Sequence, residues 1–234
     1  MRLQGLAFLA RAEKFRANAY RPEPDNFLKY DTKFSPSDGR SMLPAAPPDY
    51  PPLKPESTEV LRKIYQLFRD YFDMAERKRR WNIRNDIPWD QCNPKLDPAI
   101  ADVLETFCAV ELYLPDYLSK LIPQVRGNRG RAWMLANWGY EECKHSMVFG
   151  DWLLRSKHRS DEEMADLETE VFSHEWNLPY DNARAMVCYT MFQELATWLH
   201  YHNLRKIVGT QDPALSKCLY LVAQDERAHY DFFR

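Results

Sequence analysis

At 234 residues the chain is long enough for one sizeable core and too short for two comfortable domains. Its formal net charge of −2 gives no global reason to expect nucleic acid or an anionic membrane surface. No run approaches the roughly eighteen apolar residues that a membrane span needs. Five cysteines, at 92, 108, 143, 188 and 218, are scattered singly with no Cys-x-x-Cys. Such a set reads as reduced thiols, mostly small core residues, in a cytosol.

The start, Met1 to Arg11, holds only a short apolar patch between arginines, too brief for a signal-peptide core. The expected compartment is therefore the cytoplasm, or an organelle stroma if a transit segment has been removed. An amphipathic stretch over about residues 5–19 leads into a segment that brings residues 1–56 to nine of the sixteen prolines. Ala45-Ala-Pro-Pro-Asp-Tyr-Pro-Pro52 cannot be regular helix or central strand, so 1–56 is read as an extended Pro-rich arm.

From Ser57 the pattern turns helical. Val60, Ile64, Leu67, Phe68 and Tyr71 repeat at helical spacing behind the capping residues of Ser57-Thr-Glu. This helix ends in Arg77-Lys-Arg-Arg80, and Trp81 to Trp89 reads as a loop. A second helix is expected from Pro98 to Val125, bent at Pro115. Glu111 interrupts its apolar stripe of Leu104, Phe107, Cys108, Leu114 and Leu118. After Gly127-Asn-Arg-Gly130 a third helix spans 129–156, with Leu135, Trp138, Glu142, His145, Phe149 and Trp152 on one face. Residues 161–175 form a short acidic helix expected to face solvent. A fifth helix covers 181–208, where Glu194 intrudes on an apolar stripe. The last follows Thr210-Gln-Asp-Pro213 and carries Leu219, Val222, Glu226, His229 and Phe233.

Two of these helices contain Glu-x-x-His, Glu142/His145 and Glu226/His229. Residues three apart share a helix face, so each pair aims a carboxylate and an imidazole at one point. One recurring helix bundle holds two irons with such a motif from each of two helices and a single glutamate from each of the other two. Glu111 and Glu194 are the single glutamates, giving the order Glu, Glu-x-x-His, Glu, Glu-x-x-His. Four carboxylates would neutralise two ferrous ions, which removes the large cost of burying them unpaired. His158, His174, His200 and His202 stand outside the pattern and read as ordinary polar residues.

Glu111-Leu-Tyr-Leu-Pro-Asp-Tyr117, Tyr140-Glu-Glu-Cys-Lys-His145, Tyr189-Thr-Met-Phe-Gln-Glu-Leu-Ala-Thr197 and Asp225-Glu-Arg-Ala-His229 resemble the diiron motifs of the soluble acyl-acyl-carrier-protein (stearoyl-ACP) desaturases. The resemblance covers about residues 57–234. It implies an all-α, ferritin-like four-helix bundle over 57–234, with additional short helices and the N-terminal arm. It also implies a diiron centre that uses O2 as co-substrate, an acyl chain delivered on acyl carrier protein, a ferredoxin-type electron donor and a homodimer. By the same resemblance Trp81 matches a tryptophan linked to electron transfer. Asp225 supports His145, and Thr197 lies on the oxygen-binding side of the metals.

The expected activity is thus oxygen-dependent desaturation of a fatty acyl chain in fatty acid biosynthesis. A diiron oxygenase on another apolar substrate and a ferritin-like iron oxidation and storage protein share the same pattern. Storage is disfavoured by the Trp, Phe and Met residues lining the bundle. Arg77-Lys-Arg-Arg80, the densest basic cluster, reads either as a solvated helix terminus satisfying the dipole or as a docking surface for the acidic carrier.

Overall fold

The computed structural model describes residues 56–234, so the amphipathic lead-in and almost all of the Pro-rich arm lie outside the described residues. Among the described residues all regular structure is helical. α1 spans Thr58–Lys78 and starts at Ser57, whose hydroxyl accepts from the Val60 amide. A single 3-10 turn, Trp89–Gln91, precedes α2, Pro98–Glu111. α3 follows at Leu114–Val125, α4 at Arg129–Arg155 and α5 at Asp161–Phe172. α6 runs Ala183–Val208 and α7 Pro213–Phe233. Most starts carry the expected caps: Asp97, Asn128, Asn182 and Asp212 each accept a backbone N–H of the first turn.

The one bent helix expected from Pro98 to Val125 is two helices. Pro115 has no N–H to give the Glu111 carbonyl, so α2 stops at Glu111 and Pro115 sits in the first turn of α3. The Tyr117 hydroxyl caps the broken end by donating to the Val110 carbonyl at 3.0 Å. The break sets Glu111 at the last position of α2, where it can turn into the bundle.

The acidic helix also departs from expectation. It is shorter, Asp161–Phe172, and only one side faces solvent, because Met164, Leu167 and Val171 are buried. These lie three and four residues apart and form an apolar stripe beneath the acidic first turn.

α6 and α7 form the most extensive pair, joined through Gly209, whose φ of +55° closes the turn without strain. They run antiparallel, since Glu194 meets His229 while Thr197 meets Glu226. α2 packs along α4, and α4 also touches α1, α3 and α7. The α1–α4 crossing is tight: a Cβ on Gly130 would lie 2.8 Å from the backbone of Ile64 and Tyr65.

Two apolar clusters fill the bundle. One holds Leu104, Phe149, Trp152, Tyr201, Leu215 and Leu219; the other holds Phe68, Leu121, Met134, Leu135, Trp138 and Met186. On α4 the first cluster uses Val148 to Leu153 and the second Met134 to Trp138, so Glu142 and His145 fall between them. The polar layer is therefore sandwiched between two dry ones. Truncating an aromatic in such a layer typically costs about 3–5 kcal/mol.

Candidate metal centre

Six side chains meet in that layer, one or two from each of α2, α4, α6 and α7. Glu111, Glu142, His145 and Glu226 can offer ligand atoms all within 4.8 Å of one another, and so can Glu142, Glu194, Glu226 and His229. The two groups share Glu142 and Glu226. None of the six side-chain bearers is more than 6% exposed. Both imidazoles turn Nδ1 inward: His145 Nδ1 lies 3.1 Å from Glu142 Oε2, and His229 Nδ1 lies 3.1 Å from Glu194 Oε2.

The donor set fits divalent metal and is ill at ease without it. Oε1 of Glu142 and Oε1 of Glu226 are buried with no hydrogen-bond partner. His229 Nδ1 is 2.9 Å from the former and His145 Nδ1 is 3.2 Å from the latter, close but not aligned for hydrogen bonding. Burial and the neighbouring Glu142 carboxylate push the Glu111 and Glu194 carboxyls well above the usual carboxylate range. Burial opposes charging of the two imidazoles, yet the surrounding anionic groups hold both well above their ordinary value. Burial also works against the Glu142 carboxylate, but the charges of His145 and His229 outweigh it and hold its pKa below the usual range. A site that must recruit protons to stay buried is one that cations can fill, releasing those protons.

Each histidine is braced from behind. His145 Nε2 is 3.5 Å from Asp225 Oδ2, the same oxygen that accepts from Trp81 Nε1 at 2.7 Å. Asp225 thus stands between His145 and Trp81. His229 Nε2 is braced by Glu141 Oε2 at 2.7 Å, a residue the sequence reading passed over. The two supports are symmetric: the acidic residue preceding each Glu-x-x-His holds the histidine of the other motif. That repeated acidic residue, Glu141 before Glu142 and Asp225 before Glu226, is the signal that could have exposed it. A carboxylate on the outer nitrogen of a metal-binding histidine fixes its tautomer and orientation. Tyr201 was also missed; it is fully buried and donates to Glu111 Oε1 at 3.0 Å.

The basic run is only half solvated. Arg77 and Lys78 are exposed, but Arg79 and Arg80 turn inward. Arg79 pairs with Asp225 and, at 3.0 Å, with Glu141, while Arg80 pairs with Glu141 and donates to Asn137 Oδ1 at 2.8 Å. The buried carboxylates Glu141 and Asp225 draw them in, since a lone buried charge costs several kcal/mol.

Opposite the braced histidines lies a cavity of about 470 Å³. Glu111, Glu142, Glu194 and Glu226 form part of its wall, together with Thr197 and apolar residues such as Phe107, Leu121, Trp138 and Met186. Thr197 Oγ1 donates to Glu226 Oε2 at 2.6 Å. Among its lining residues Leu121, Trp138, Trp176 and Met186 are buried, while His174, Gln193 and His200 are exposed. His174 and His200 thus border the cavity, outside the cluster as expected. His158 stacks on Trp152 and bonds the Leu96 carbonyl at 2.9 Å, and His202 packs against Trp198.

Among the described residues the chain is thus an all-helical bundle with a buried Glu/His cluster able to hold metal, set beside an apolar cavity. Residues 100–234, more than half of the chain, match the family model described as fatty acid desaturase, and the chain belongs to that family. Membership supports an oxidoreductase of lipid metabolism. No curated protein matches the chain. Among the described residues no helix is long and apolar enough to cross a membrane.

Proposed function

We propose that the chain is a diiron, oxygen-dependent desaturase that introduces a double bond into a fatty acyl chain carried on acyl carrier protein. The observation that carries this reading is the contact between the two features: four candidate ligands, Glu111, Glu142, Glu194 and Glu226, are themselves wall residues of the apolar cavity. An acyl chain lying there would pass directly beside the metals. Among the described residues no Lys or Arg lines the cavity, which favours an acyl chain whose head is an uncharged thioester over a free acid needing a cationic anchor.

In this reading Glu111, Glu142, His145, Glu194, Glu226 and His229 would hold the two irons. Two irons so held supply reductive activation of O2, strong enough to take hydrogen from an unactivated methylene. Overall, O2, two electrons and two protons convert –CH2–CH2– to –CH=CH– with two waters formed. The protein's part is positional. Buried Leu121, Trp138 and Met186 in the wall would keep the site dry, and the cavity walls would hold one methylene pair against the cluster. Thr197 holds Glu226 through its hydroxyl on the cavity side. Trp81, buried and hydrogen-bonded to Asp225 behind His145, would lie on the path of electrons from a ferredoxin-type donor.

The bundle over 57–234 acts as one domain in a homodimer, placed in the cytoplasm or an organelle stroma. On α4 Trp133, Tyr140 and Met147, seven residues apart, are exposed on one face, with Arg129 over Trp133 and Arg80 over Tyr140. An exposed apolar stripe of this kind supports packing against a second copy. Light scattering should show a dimer for the native chain and a monomer for Tyr140→Glu; a native monomer would remove the dimer from the account.

The function is tested by giving the iron-loaded protein a saturated acyl-carrier substrate, reduced ferredoxin and O2. Mass spectrometry should find an acyl product lighter by two hydrogens. A hydroxylated product would favour the oxygenase alternative, and iron mineral without acyl turnover would favour storage.

A further inference from the structure

One guanidinium touches the outer supports of both histidines. Arg79 NH1 donates to Asp225 Oδ1, the support behind His145, and its NH2 donates to Glu141 Oε1 at 3.0 Å, the support behind His229. It takes the far oxygen of each carboxylate, leaving Asp225 Oδ2 and Glu141 Oε2 for the histidines. Tyr71 closes the arrangement: its hydroxyl accepts from Arg79 NH2 at 2.5 Å and donates to Glu141 Oε2 at 2.5 Å. Arg79 can reach both because α1 ends at Lys78, which places it as the C-cap with its side chain directed over the Tyr71 ring.

Charge follows the same layout. The inner carboxylates match two divalent ions, and the outer pair, Glu141 and Asp225, matches the guanidinia of Arg79 and Arg80. Only Arg79 spans the outer pair. Its planar fork fixes where two carboxylates stand relative to each other, which a lysine ammonium cannot do.

We propose that Arg79 is a positioning residue that couples the two halves of the metal centre, so that a change behind one histidine alters metal affinity at the other. The proposal rests on the metal centre of the preceding section. Glu141→Gln and Asp225→Asn each weaken one support while keeping its shape. If the halves were independent, their effects on overall metal affinity would multiply in the double variant.

The test is titration of the metal-free full-length protein with Co(II), read by its visible absorption, for the native chain, both single variants and the double variant. The set is repeated in an Arg79→Gln background, or in Arg79→Lys, which reaches only one carboxylate, should the former fail to fold. Each single change is expected to cost about 10–100-fold in affinity. In the Arg79 background the double variant should depart from the product of the single effects by at least about fivefold, the scale of coupling within one salt-bridge network. Without the native guanidinium the effects should multiply. Multiplicative effects in both backgrounds would overturn the coupling while leaving the metal centre intact. No Co(II) uptake by the native chain would instead remove the centre itself.

Discussion

Thr197 lies one turn beyond Glu194 on α6, yet its hydroxyl bonds across to Glu226 on α7, at 2.6 Å from Oε2. This cross-helix bond fixes a shared candidate ligand from the cavity side. Thr197→Val keeps the shape and removes the donor. A hydrogen bond to a charged group is worth about 1.5–3 kcal/mol, so turnover should fall about tenfold or more while metal stoichiometry stays unchanged. Metal analysis alongside steady-state rates separates the two; lost metal would make Thr197 part of the binding site instead.

Metal should stabilise the fold. The apo site buries four carboxylates, two of them with pKa values pushed well up by burial and by Glu142. A metal ion at 100 times its Kd adds about 2.7 kcal/mol. Thermal unfolding with Fe(II) or Co(II), against the same protein in chelator, should show a clear rise in Tm. The rise should be smaller in Glu142→Gln, which touches both halves of the cluster.

Asp212 should be the most sensitive polar residue remote from the cluster. It is fully buried, caps α7 through the Leu215 amide at 2.7 Å, and accepts from Asn93 N and Trp152 Nε1, each at 2.9 Å. Asp212→Ala loses a cap and strands the buried Trp152 Nε1 and the part-buried Asn93 amide, at a cost of about 3 kcal/mol. Chemical denaturation of the metal-free protein measures it, and a loss under about 1 kcal/mol would show that water replaces these bonds.

Filling the cavity should separate substrate binding from metal binding. Ala196 lies in the wall beside Glu194 and Thr197. Ala196→Phe removes space an acyl chain needs, so KM should rise or turnover of long chains should vanish, with Co(II) binding unaltered. Unchanged kinetics on a long acyl substrate would place the chain elsewhere.

The sequence made the cluster legible because Glu-x-x-His encodes its own geometry: helix spacing alone turns both side chains the same way. Glu111 and Glu194 stood out as carboxylates on apolar stripes. Glu141 did not, because beside Glu142 it reads as one more polar neighbour, and only packing of α7 against α4 brings His229 to it. Direction was equally hidden in Arg77-Lys-Arg-Arg80. Which of four cations turns inward depends on Glu141 and Asp225, both far along the chain. The α2–α3 break was half visible: Pro115 marked the place, but the apolar stripe runs through it and gave no sign that a new helix begins. On α5 the acidic first turn masked Met164, Leu167 and Val171, whose burial depends on the cavity and core they adjoin.

The most direct test of the account is iron bound per chain after anaerobic loading with Fe(II) and removal of excess. Two irons per native chain are predicted, with the loss of at least one in Glu142→Gln and in Glu226→Gln, the two residues shared by both halves of the cluster. A native chain that retains no iron, or whose iron content is untouched by either substitution, would contradict it.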